Sequence, residues 1–370
     1  MESMFDNITF RLPDAIKTHL AGKSLAETLY KLPITIFLSG ELGVGKTTFL
    51  QGFAENLGIS ERLTSPTYAL EQRYRTKRYG ELLHIDLFRL SKTQAEEVSS
   101  SSEDHEGIRC IEWSDRLQIA TQQSGIFIKL KDIGIRNMEY GIETNTASHS
   151  EFRIPNSGTQ ADNKHINTCT IRFADIALPS PEEIKQWREE VHLPQHICEH
   201  CDAVADFAII AANEITAQGR IVRQMALKCA AELHDIVRFV DFAQRIPVYV
   251  NEEIPSSIKT HWEQWKKRYD GLAHEAAGAA FLREKGFDAL ANIVTTHGLN
   301  TPNPPDMTIE QKLLFYADKR VKFTEVVTLD ERFKDFINRY KGTGKEDGAE
   351  NWLLEAKALE VELFGGNIPF

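Results

Sequence analysis

The segment at residues 40–47 constrains the fold of this chain more than any other. It has the sequence GELGVGKT and matches the pattern G-x-x-x-x-G-K-[ST] at every fixed position. An apolar, β-branched run at 34–38 precedes it and predicts a strand, and residues 47–57 have the apolar spacing of a helix. A strand, a glycine-rich loop and a helix in this order are typical of a P-loop, whose backbone N–H groups surround nucleotide phosphates. The alternative is a glycine-rich turn that contains a lysine by chance.

A P-loop gives each of its residues a predicted contact. Lys46 is expected to reach the β- and γ-phosphates, and Thr47 is expected to place its hydroxyl on Mg²⁺. The residues predicted to contact the nucleotide are Gly40, Glu41, Leu42, Gly43, Val44, Gly45, Lys46, Thr47 and Thr48.

Length and composition describe a protein of ordinary globular type. At 370 residues the chain exceeds what one hydrophobic core usually serves, so we expect two domains. No uninterrupted apolar stretch is long enough to span a bilayer, and the first residues, MESMFDNITF, lack the basic and apolar regions of a secretory signal. We therefore expect a cytoplasmic protein with no membrane partner.

The five cysteines are an odd number in a long chain, which fits reduced thiols better than a disulfide framework. Cys198 and Cys201 form a C-x-x-C pair, but the sequence offers no second pair to complete a zinc site. We expect these two residues to pack within a helix.

The formal net charge of −11 bears on the class of partner. A protein that holds RNA by itself is expected to present a basic face. We therefore expect any role with RNA to be indirect, through partner proteins.

Strand and helix signals alternate through the first part of the chain. Apolar runs at 81–87, 108–113 and 125–130 predict further strands, the pattern of a mainly parallel sheet with flanking helices. The serine run at 99–102 is expected to be a short loop, and the polar stretch at 144–165 a linker or long loop.

The remainder of the chain is predicted to be helical. After a strand-like run at 168–178, Ser180 can cap a helix with Pro181 at its first position and Glu183 closing a capping box. The helical runs that follow lie at 195–217, 223–239, 272–285, 309–323 and 329–340. The predicted organisation is an α/β P-loop domain at 1–143, a linker and connecting strand at 144–180, and an all-α domain at 181–370.

Three segments downstream of the P-loop carry polar groups suited to phosphate chemistry. The hydroxyls of Ser65 and Thr67, in LTSPTY, can bind Mg²⁺ or phosphate from a mobile loop. Asp86 ends a strand in HIDLFRL, where it can hold Mg²⁺ directly or through water. Glu112 ends another strand in CIEW, where it can orient or deprotonate the attacking water. Taken singly, each acid is more simply a solvated or capping carboxylate.

In their order and spacing, GELGVGKTTFLQGF, LTSPTYALEQRY, HIDLFRL and CIEWSDR closely resemble the TsaE family, also called YjeE, over residues 10–140. The resemblance implies a P-loop ATPase that serves the bacterial machinery for attaching a threonylcarbamoyl group to the adenosine beside the anticodon of certain tRNAs. It implies TsaD and TsaB as partners and ATP with Mg²⁺ as ligands. The catalytic residues it implies are Lys46, Asp86 and Glu112, with Trp113 completing an E-W pair.

One stretch departs from the family pattern. Between HIDLFRL and CIEW the chain has SKTQAEEVSSSSEDHEG at 91–107, where the family more often has an L-x-E-L helix start and a glycine-containing turn. The difference concerns the local loop and its partner surface and leaves the phosphate chemistry unchanged.

The helical half contains a second set of candidate ligands. His200, the adjacent His234 and Asp235, and Asp318 occur in apolar helical sequence in the order H…HD…D. Imidazole nitrogen and carboxylate oxygen suit a divalent ion such as Mn²⁺, Fe²⁺, Co²⁺ or Zn²⁺. His274 and His297 lie between them and can bind a second ion, an arrangement that activates water for attack on phosphorus. Singly, each histidine is equally well explained as a helix cap or a core residue.

Together, EHCDAVADFA, AELHDIVRF, AHEAAGAAFL, IVTTHGL and YADKRVKFTEVVTLDERF resemble the HD-domain phosphohydrolase superfamily over residues 185–345. The resemblance implies a phosphate contact at Arg238, and the metal ligands it implies are His200, His234, Asp235 and Asp318, with His274 and His297 at a second metal. His192 and His196 compete with His200 for the role of first ligand. His200 is preferred because HCDAVADFA fits the family's H-S-x-x-V-A-x-x-A helix, with Cys201 in place of serine.

The sequence therefore predicts a fusion of an ATPase with a metal-dependent phosphohydrolase that acts on a nucleotide or small phosphorylated metabolite. One alternative is a small-molecule kinase, which requires an arginine-bearing lid, but the basic cluster at 73–78 is better explained as a solvated turn. Another is a helical half that serves as a regulatory or binding module. A third is oxygenase chemistry at a di-iron site.

Overall fold

The computed structural model describes residues 6–66, 69–120, 122–134, 166–242, 254–298, 304–340 and 346–366. Thr67 and the polar stretch at 144–165 lie outside these ranges. Within the ranges, no helix combines the length and apolar character needed to cross a membrane.

The first half of the described chain forms one seven-stranded sheet. Its strands are β1 (Asp6–Leu12), β2 (Ile34–Ser39), β3 (Glu71–Arg75), β4 (Glu81–Asp86), β5 (Ile108–Glu112), β6 (Ile126–Asp132) and β7 (Asn167–Phe173). They lie in the order β1-β7-β6-β2-β5-β4-β3. The four in the middle are parallel, and β7 runs antiparallel to both β6 and β1, so β1 shares the direction of the middle strands. The expected mainly parallel sheet is confirmed, and β3 and β7 are its reversed strands.

Strand β7 comes from the stretch predicted as a linker and connecting strand. It is hydrogen-bonded along its whole length to β1 on one side and to β6 on the other. It is therefore an internal strand of the sheet, and its buried Cys169, Ile171 and Phe173 belong to the same core as the P-loop helix. The division of the chain at 143 and 181 stays a prediction.

Two helices, α1 (Ala15–Leu25) and α2 (Lys46–Asn56), pack tightly against each other. Their backbones meet at two glycines: a Cβ atom at Gly22 would lie 1.8 Å from the carbonyl oxygen of Phe49, and one at Gly52 would lie 1.8 Å from that of His19. Any larger residue at either glycine would force the helices apart. The helix that follows the P-loop is therefore held in place by α1.

The serine run belongs to a helix, α3 (Lys92–Ser101), so the prediction of a short loop at 99–102 is wrong for residues 99–101. Ser91 and Gln94 form a capping box at the start of α3. The guanidinium of the buried Arg109 donates to the Ser99 carbonyl at 2.9 Å and to the Ser102 hydroxyl at 3.1 Å. These contacts stabilise a helical conformation that serine favours only weakly.

The basic cluster at 73–78 is likewise not a simple solvated turn. Arg73 and Arg75 lie on β3, where Arg73 pairs with Glu81 at 2.8 Å. Arg78 pairs at 2.7 Å with Asp306, which belongs to the second half of the chain. Arg78 therefore contributes to the contact between the two halves.

The second half is helical, as expected. Its helices are α4 (Pro181–Glu190), α5 (Gln195–Ala217), α6 (Gln224–Leu233), α7 (Ser256–Arg268), α8 (His274–Glu284), α9 (Asp288–Val294), α10 (Ile309–Arg320), α11 (Leu329–Tyr340) and α12 (Glu346–Phe364). A hairpin of β8 (Val321–Lys322) and β9 (Glu325–Val326) follows α10. The capping box of Ser180 with Glu183, and Pro181 at the first position of α4, are confirmed.

Two helices end earlier than the sequence predicts. The run at 223–239 was expected to be one helix, but α6 ends at Leu233 and a 3-10 turn (Arg238–Asp241) follows. The run at 309–323 ends at Arg320 because Val321 is extended and pairs with Val326 in the hairpin. The apolar residues that follow α6 within its run are buried, whereas after α10 Val321 is buried and Phe323 is exposed.

The two halves meet at a buried ion pair. Arg223, fully buried at the start of α6, donates two hydrogen bonds to the carboxylate of Asp175 at 2.6 and 2.9 Å. Its Nε donates to the Thr28 hydroxyl at 3.0 Å, and its backbone N–H donates to Glu310 at 2.8 Å. Burial by itself would lower the pKa of Arg223, but the charge and hydrogen bonds of Asp175, together with the charge of Glu310, raise it. Asp175 and Thr28 of the first half therefore accept from all three guanidinium nitrogens, and Glu310 of the second half accepts from the backbone of the same residue.

A second contact joins β1 to α6. The N-cap of α6 makes no side-chain hydrogen bond of its own. The carboxylate of Asp6, on β1, instead accepts from the backbone N–H of Ala226 at 2.9 Å. A carboxylate at this position also opposes the positive end of the helix dipole. The first half of the chain thus supplies the missing cap of a helix in the second half.

We predict that Asp175→Asn lowers the free energy of unfolding by about 3–5 kcal/mol, because Arg223 stays buried without its counter-charge. Urea unfolding at pH 7, followed by circular dichroism, measures the change. The matched control is Asp330→Asn, which breaks an exposed pair with Lys357 and is expected to cost less than about 1 kcal/mol. Equal losses in the two variants would contradict the role given to the buried pair.

Candidate functional sites

The P-loop begins where β2 ends and turns directly into α2. Gly45 caps α2 with a φ of 105°, a left-handed conformation that glycine adopts without strain. The first backbone N–H groups of α2 therefore point toward the loop, where they can bind an anion. A cavity of about 310 Å³ lies there, and its lining residues are Leu42, Gly43, Gly45, Lys46, Thr47, Thr48, Ser65, Asp86, Phe88, Glu112 and Trp113.

Lys46 is folded back on its own loop. Its ammonium donates to the carbonyl oxygens of Gly40 at 2.8 Å and Glu41 at 2.9 Å, and it lies 3.8 Å from the ring centre of Trp113. Burial lowers its pKa, and the charge of Glu112 opposes that change. The carbonyl oxygens of Gly40 and Glu41 thus contact Lys46, and the contact of these two residues with nucleotide stays a prediction. Val44 faces the protein core.

Glu112, at the end of β5, joins the sheet to the P-loop helix. One of its oxygens accepts from the Thr47 hydroxyl at 3.0 Å, the other lies 3.2 Å from the same hydroxyl, and His84 approaches the first at 3.0 Å. His84 and Glu112 are both almost completely buried. The structure therefore brings Thr47 and Glu112 together, as the sequence predicts for one nucleotide site.

Asp86 ends β4 beside Glu112, its partner in the register of the sheet. It accepts from the Ser65 hydroxyl at 2.7 Å and from the Phe88 backbone N–H at 2.9 Å. Ser65 and Asp86 thus meet at the mouth of the same cavity. Thr67 was predicted to contact nucleotide as well and lies outside the described residues.

A second cluster lies in the helical half. His200, on α5, approaches Asp318, on α10, at 3.1 Å through Nε2, and its Nδ1 lies 2.8 Å from the carbonyl oxygen of Phe323. Burial alone would lower the pKa of His200, but the hydrogen bond and charge of Asp318 outweigh it and raise that pKa. Of the three histidines considered for this position, His200 is the one in the cluster, whereas the ring of His192 packs edge-on against that of His261, with 4.8 Å between the ring centres.

His234 lies where α6 ends, fully buried. Its Nδ1 lies 2.7 Å from the Ala231 carbonyl, and its Nε2 has no hydrogen-bond partner among the described residues. That Nε2 lies 3.7 Å from Asp318 and 3.8 Å from Asp235. Burial lowers the pKa of His234 to about 4, so the ring is neutral at pH 7. A neutral, unpartnered nitrogen facing two carboxylates is the donor set that a divalent cation requires.

Asp235 connects the first pair of histidines to a second. One of its oxygens lies 3.3 Å from Nε2 of His274 and 3.5 Å from Nε2 of His297. Donor atoms of His200, His234 and Asp235 lie within 4.8 Å of one another, as do those of Asp235, His274 and His297. The described residues therefore offer two adjacent metal positions that share Asp235.

Three residues that support these sites were not predicted from sequence. His84 lies against Glu112, Asp241 lies 2.5 Å from Nδ1 of His274, and the buried Lys319 donates to Asp318 at 2.5 Å. For His84 a signal exists, because it lies two residues before Asp86 and so faces the same side of the strand. For Lys319 a signal also exists, because it directly follows the predicted ligand Asp318. For Asp241 the sequence contains no such signal, since its contact with His274 comes from packing between distant segments.

Family comparisons match each half of the chain separately. The model described as Threonylcarbamoyl adenosine biosynthesis protein TsaE matches residues 12–139. The HD domain model matches residues 197–321.

The curated relatives that match the first half are tRNA threonylcarbamoyladenosine biosynthesis proteins TsaE. That of Synechocystis sp. is 38% identical over 117 residues, covering 30% of this chain and 73% of the relative. That of Haemophilus influenzae is 31% identical over 148 residues, covering 38% of this chain and 92% of the relative.

Two solved structures are similar to one half each. YdiB from Bacillus subtilis is 21% identical, covers 46% of this chain and 88% of its own, and has a TM-score of 0.30. An HD superfamily hydrolase from Clostridium acetobutylicum, described as involved in NAD metabolism, is 18% identical. The match covers 48% of this chain and 99% of the hydrolase, with a TM-score of 0.28.

These matches divide the chain as its fold does. TsaE proteins are ATPases, and HD domains form a hydrolase family that binds divalent metals, so the protein is an enzyme of the hydrolase class. Through its P-loop half the chain belongs to the TsaE family, and its second half contains the match to the HD domain model at residues 197–321.

Proposed function

We propose that this protein is the ATP-hydrolysing component of tRNA threonylcarbamoyladenosine biosynthesis, fused to a metal-dependent phosphohydrolase that acts on a nucleotide or small phosphoester. The convergence of Thr47, Asp86 and Glu112 on one P-loop cavity supports the first activity. The unpartnered Nε2 of His234 between two carboxylates supports the second.

In the first activity, backbone N–H groups of the P-loop and of the start of α2 hold the phosphates, and Lys46 exchanges its carbonyl contacts for the β- and γ-phosphates. Thr47 and Asp86 are the proposed Mg²⁺ ligands, and Ser65 holds Asp86 in place. Mg²⁺ supplies positive charge against the phosphate oxygens. Glu112 orients the attacking water and accepts its proton.

TsaD and TsaB are the proposed partners, and ATP hydrolysis would reset their complex. The net charge of −11 disfavours direct capture of tRNA by this chain, so tRNA would be held by those partners. This assignment places the protein in the cytoplasm.

In the second activity, the residues present fit one or two divalent ions such as Mn²⁺, Fe²⁺, Co²⁺ or Zn²⁺. His200, His234, Asp235 and Asp318 would hold the first ion, and Asp235, His274 and His297 the second. Such ions supply an activated water and charge against a phosphate. Asp241 fixes the ring of His274 through Nδ1, and the half-exposed Arg238 is the proposed phosphate contact.

We predict that the two activities separate by mutation. Lys46→Ala is expected to lower ATP turnover about 100-fold or more, because a phosphate-binding charge is lost, while phosphoester hydrolysis stays at the wild-type rate. His234→Ala is expected to lower phosphoester hydrolysis while ATP turnover stays at the wild-type rate. The full-length variants are assayed with ATP and with a panel of nucleotides and sugar phosphates in several metals.

Lys23→Ala is the matched control for Lys46→Ala, because Lys23 lies on the exposed side of α1, paired with Glu55. Wild-type ATP turnover by Lys46→Ala would overturn the P-loop assignment. If His234→Ala hydrolysed every phosphoester in the panel at the wild-type rate, the metal-dependent phosphohydrolase assignment would be overturned.

We predict that the protein binds about two divalent ions per chain. His200→Ala and His274→Ala are each expected to lose one ion, and Asp235→Ala both, because Asp235 faces both positions. Atomic absorption after gel filtration measures the stoichiometry, and thermal unfolding with and without metal measures the accompanying stabilisation. His19→Ala, a histidine of the first half paired with Glu55, is the control. Loss of the same single ion in all three variants would contradict two positions.

We predict that deleting the gene removes threonylcarbamoyladenosine from tRNA, measured by mass spectrometry of digested nucleosides. The His234→Ala gene should restore the modification, and the Lys46→Ala gene should not, because only the first activity is proposed to serve this pathway. Undiminished modification in the deletion strain would contradict the proposed role.

A further inference from the structure

His84 occupies a buried position behind the nucleotide cavity. It lies on β4, fully buried, and it is not among the residues that line the cavity. Strand alternation places it on the same face of the sheet as Asp86, and the register places Asp86 beside Glu112 on β5. Its Nε2 thus reaches Glu112 from behind, at 3.0 Å.

The hydrogen bond has a defined direction. Because an ionised carboxylate can only accept, Nε2 of His84 carries the hydrogen and donates it to Glu112. Nδ1 of His84 has no hydrogen-bond partner among the described residues, so Nε2 makes the ring's hydrogen bond there. The bond to Glu112 is therefore what orients this imidazole.

Glu112 receives a second hydrogen bond of a different character. The Thr47 hydroxyl lies 3.0 Å from one carboxylate oxygen and 3.2 Å from the other, so it does not select between them. Thr47 also lines the cavity and is the proposed Mg²⁺ ligand, so its contacts change when nucleotide binds. His84 contacts one oxygen and lies away from the cavity, so its contact is independent of the nucleotide.

We propose that His84 is a positioning residue for ATP hydrolysis, which holds one oxygen of Glu112 so that the carboxylate keeps its orientation toward the nucleotide cavity. The inference rests on the proposed role of Glu112. It deepens that role by adding a fixed donor from inside the sheet, since supporting hydrogen bonds of this kind set the geometry of catalytic groups.

The test compares two amides in the full-length protein. In His84→Gln the amide nitrogen can take the place of Nε2, whereas in His84→Asn it falls short by one bond. His84→Asn is expected to lower kcat for ATP about tenfold or more, with KM for ATP changed less than about twofold, because Glu112 does not bind ATP itself. His84→Gln is expected to recover most of kcat. His105→Asn, whose ring contacts the Glu81 carbonyl away from the cavity, is the control.

A double-mutant cycle separates positioning from a general structural effect. In a Glu112→Gln background, His84→Asn is expected to change kcat no further, because its effect passes through the carboxylate. An equal fall of kcat in both backgrounds, or wild-type kcat in His84→Asn, would overturn the proposal. So would a folded His84→Gln protein as slow as His84→Asn. Failure of the ATPase role itself has a different signature, namely unchanged turnover in Lys46→Ala.

Discussion

The ion pair of Arg223 with Asp175 is the contact on which the arrangement of the two halves depends. A fully buried guanidinium is stable only when its charge and its donors are satisfied, and Asp175 and Thr28 of the first half satisfy them. Glu310 of the second half accepts from the backbone N–H of the same arginine. Apolar packing also joins the two halves, because Ile221 from the second half belongs to the hydrophobic core of the sheet domain. The junction is therefore a continuous interior and not a flexible tether.

Helices connect this junction to both the P-loop site and the histidine cluster. Arg223 directly precedes helix α6 and His234 directly follows it, and α10 carries Glu310 near its start and Asp318 near its end. On the other side, α1 leads into Thr28 and packs backbone to backbone on the P-loop helix α2. Rigid helices thus run from one shared contact to each site, so the geometry of the two sites is set by common packing.

What the sequence predicts well here is chemistry carried by contiguous residues. The P-loop, the capping box at Ser180 and the adjacent His234 and Asp235 all follow from local patterns. What it misses comes from contacts between distant segments: His84 reaches Glu112 across two strands, and Lys319 reaches the His297 carbonyl across two helices. Helix ends were missed at α6 and α10 because apolar residues continue beyond the hydrogen-bonded turns, so apolar spacing alone does not mark where the helices stop.

The cap that Asp6 supplies to α6 has a consequence for how the chain matures. Asp6 and Ala226 are separated by 220 residues, so the strand that holds the carboxylate leaves the ribosome long before the helix it completes. The first turn of α6, the helix that ends just before His234, therefore gains this cap only when β1 is in place, and the contact closes a long loop at a cost in chain entropy. A gene split between the two halves would turn this intramolecular step into a bimolecular encounter, which gives the fusion a physical advantage independent of any shared chemistry.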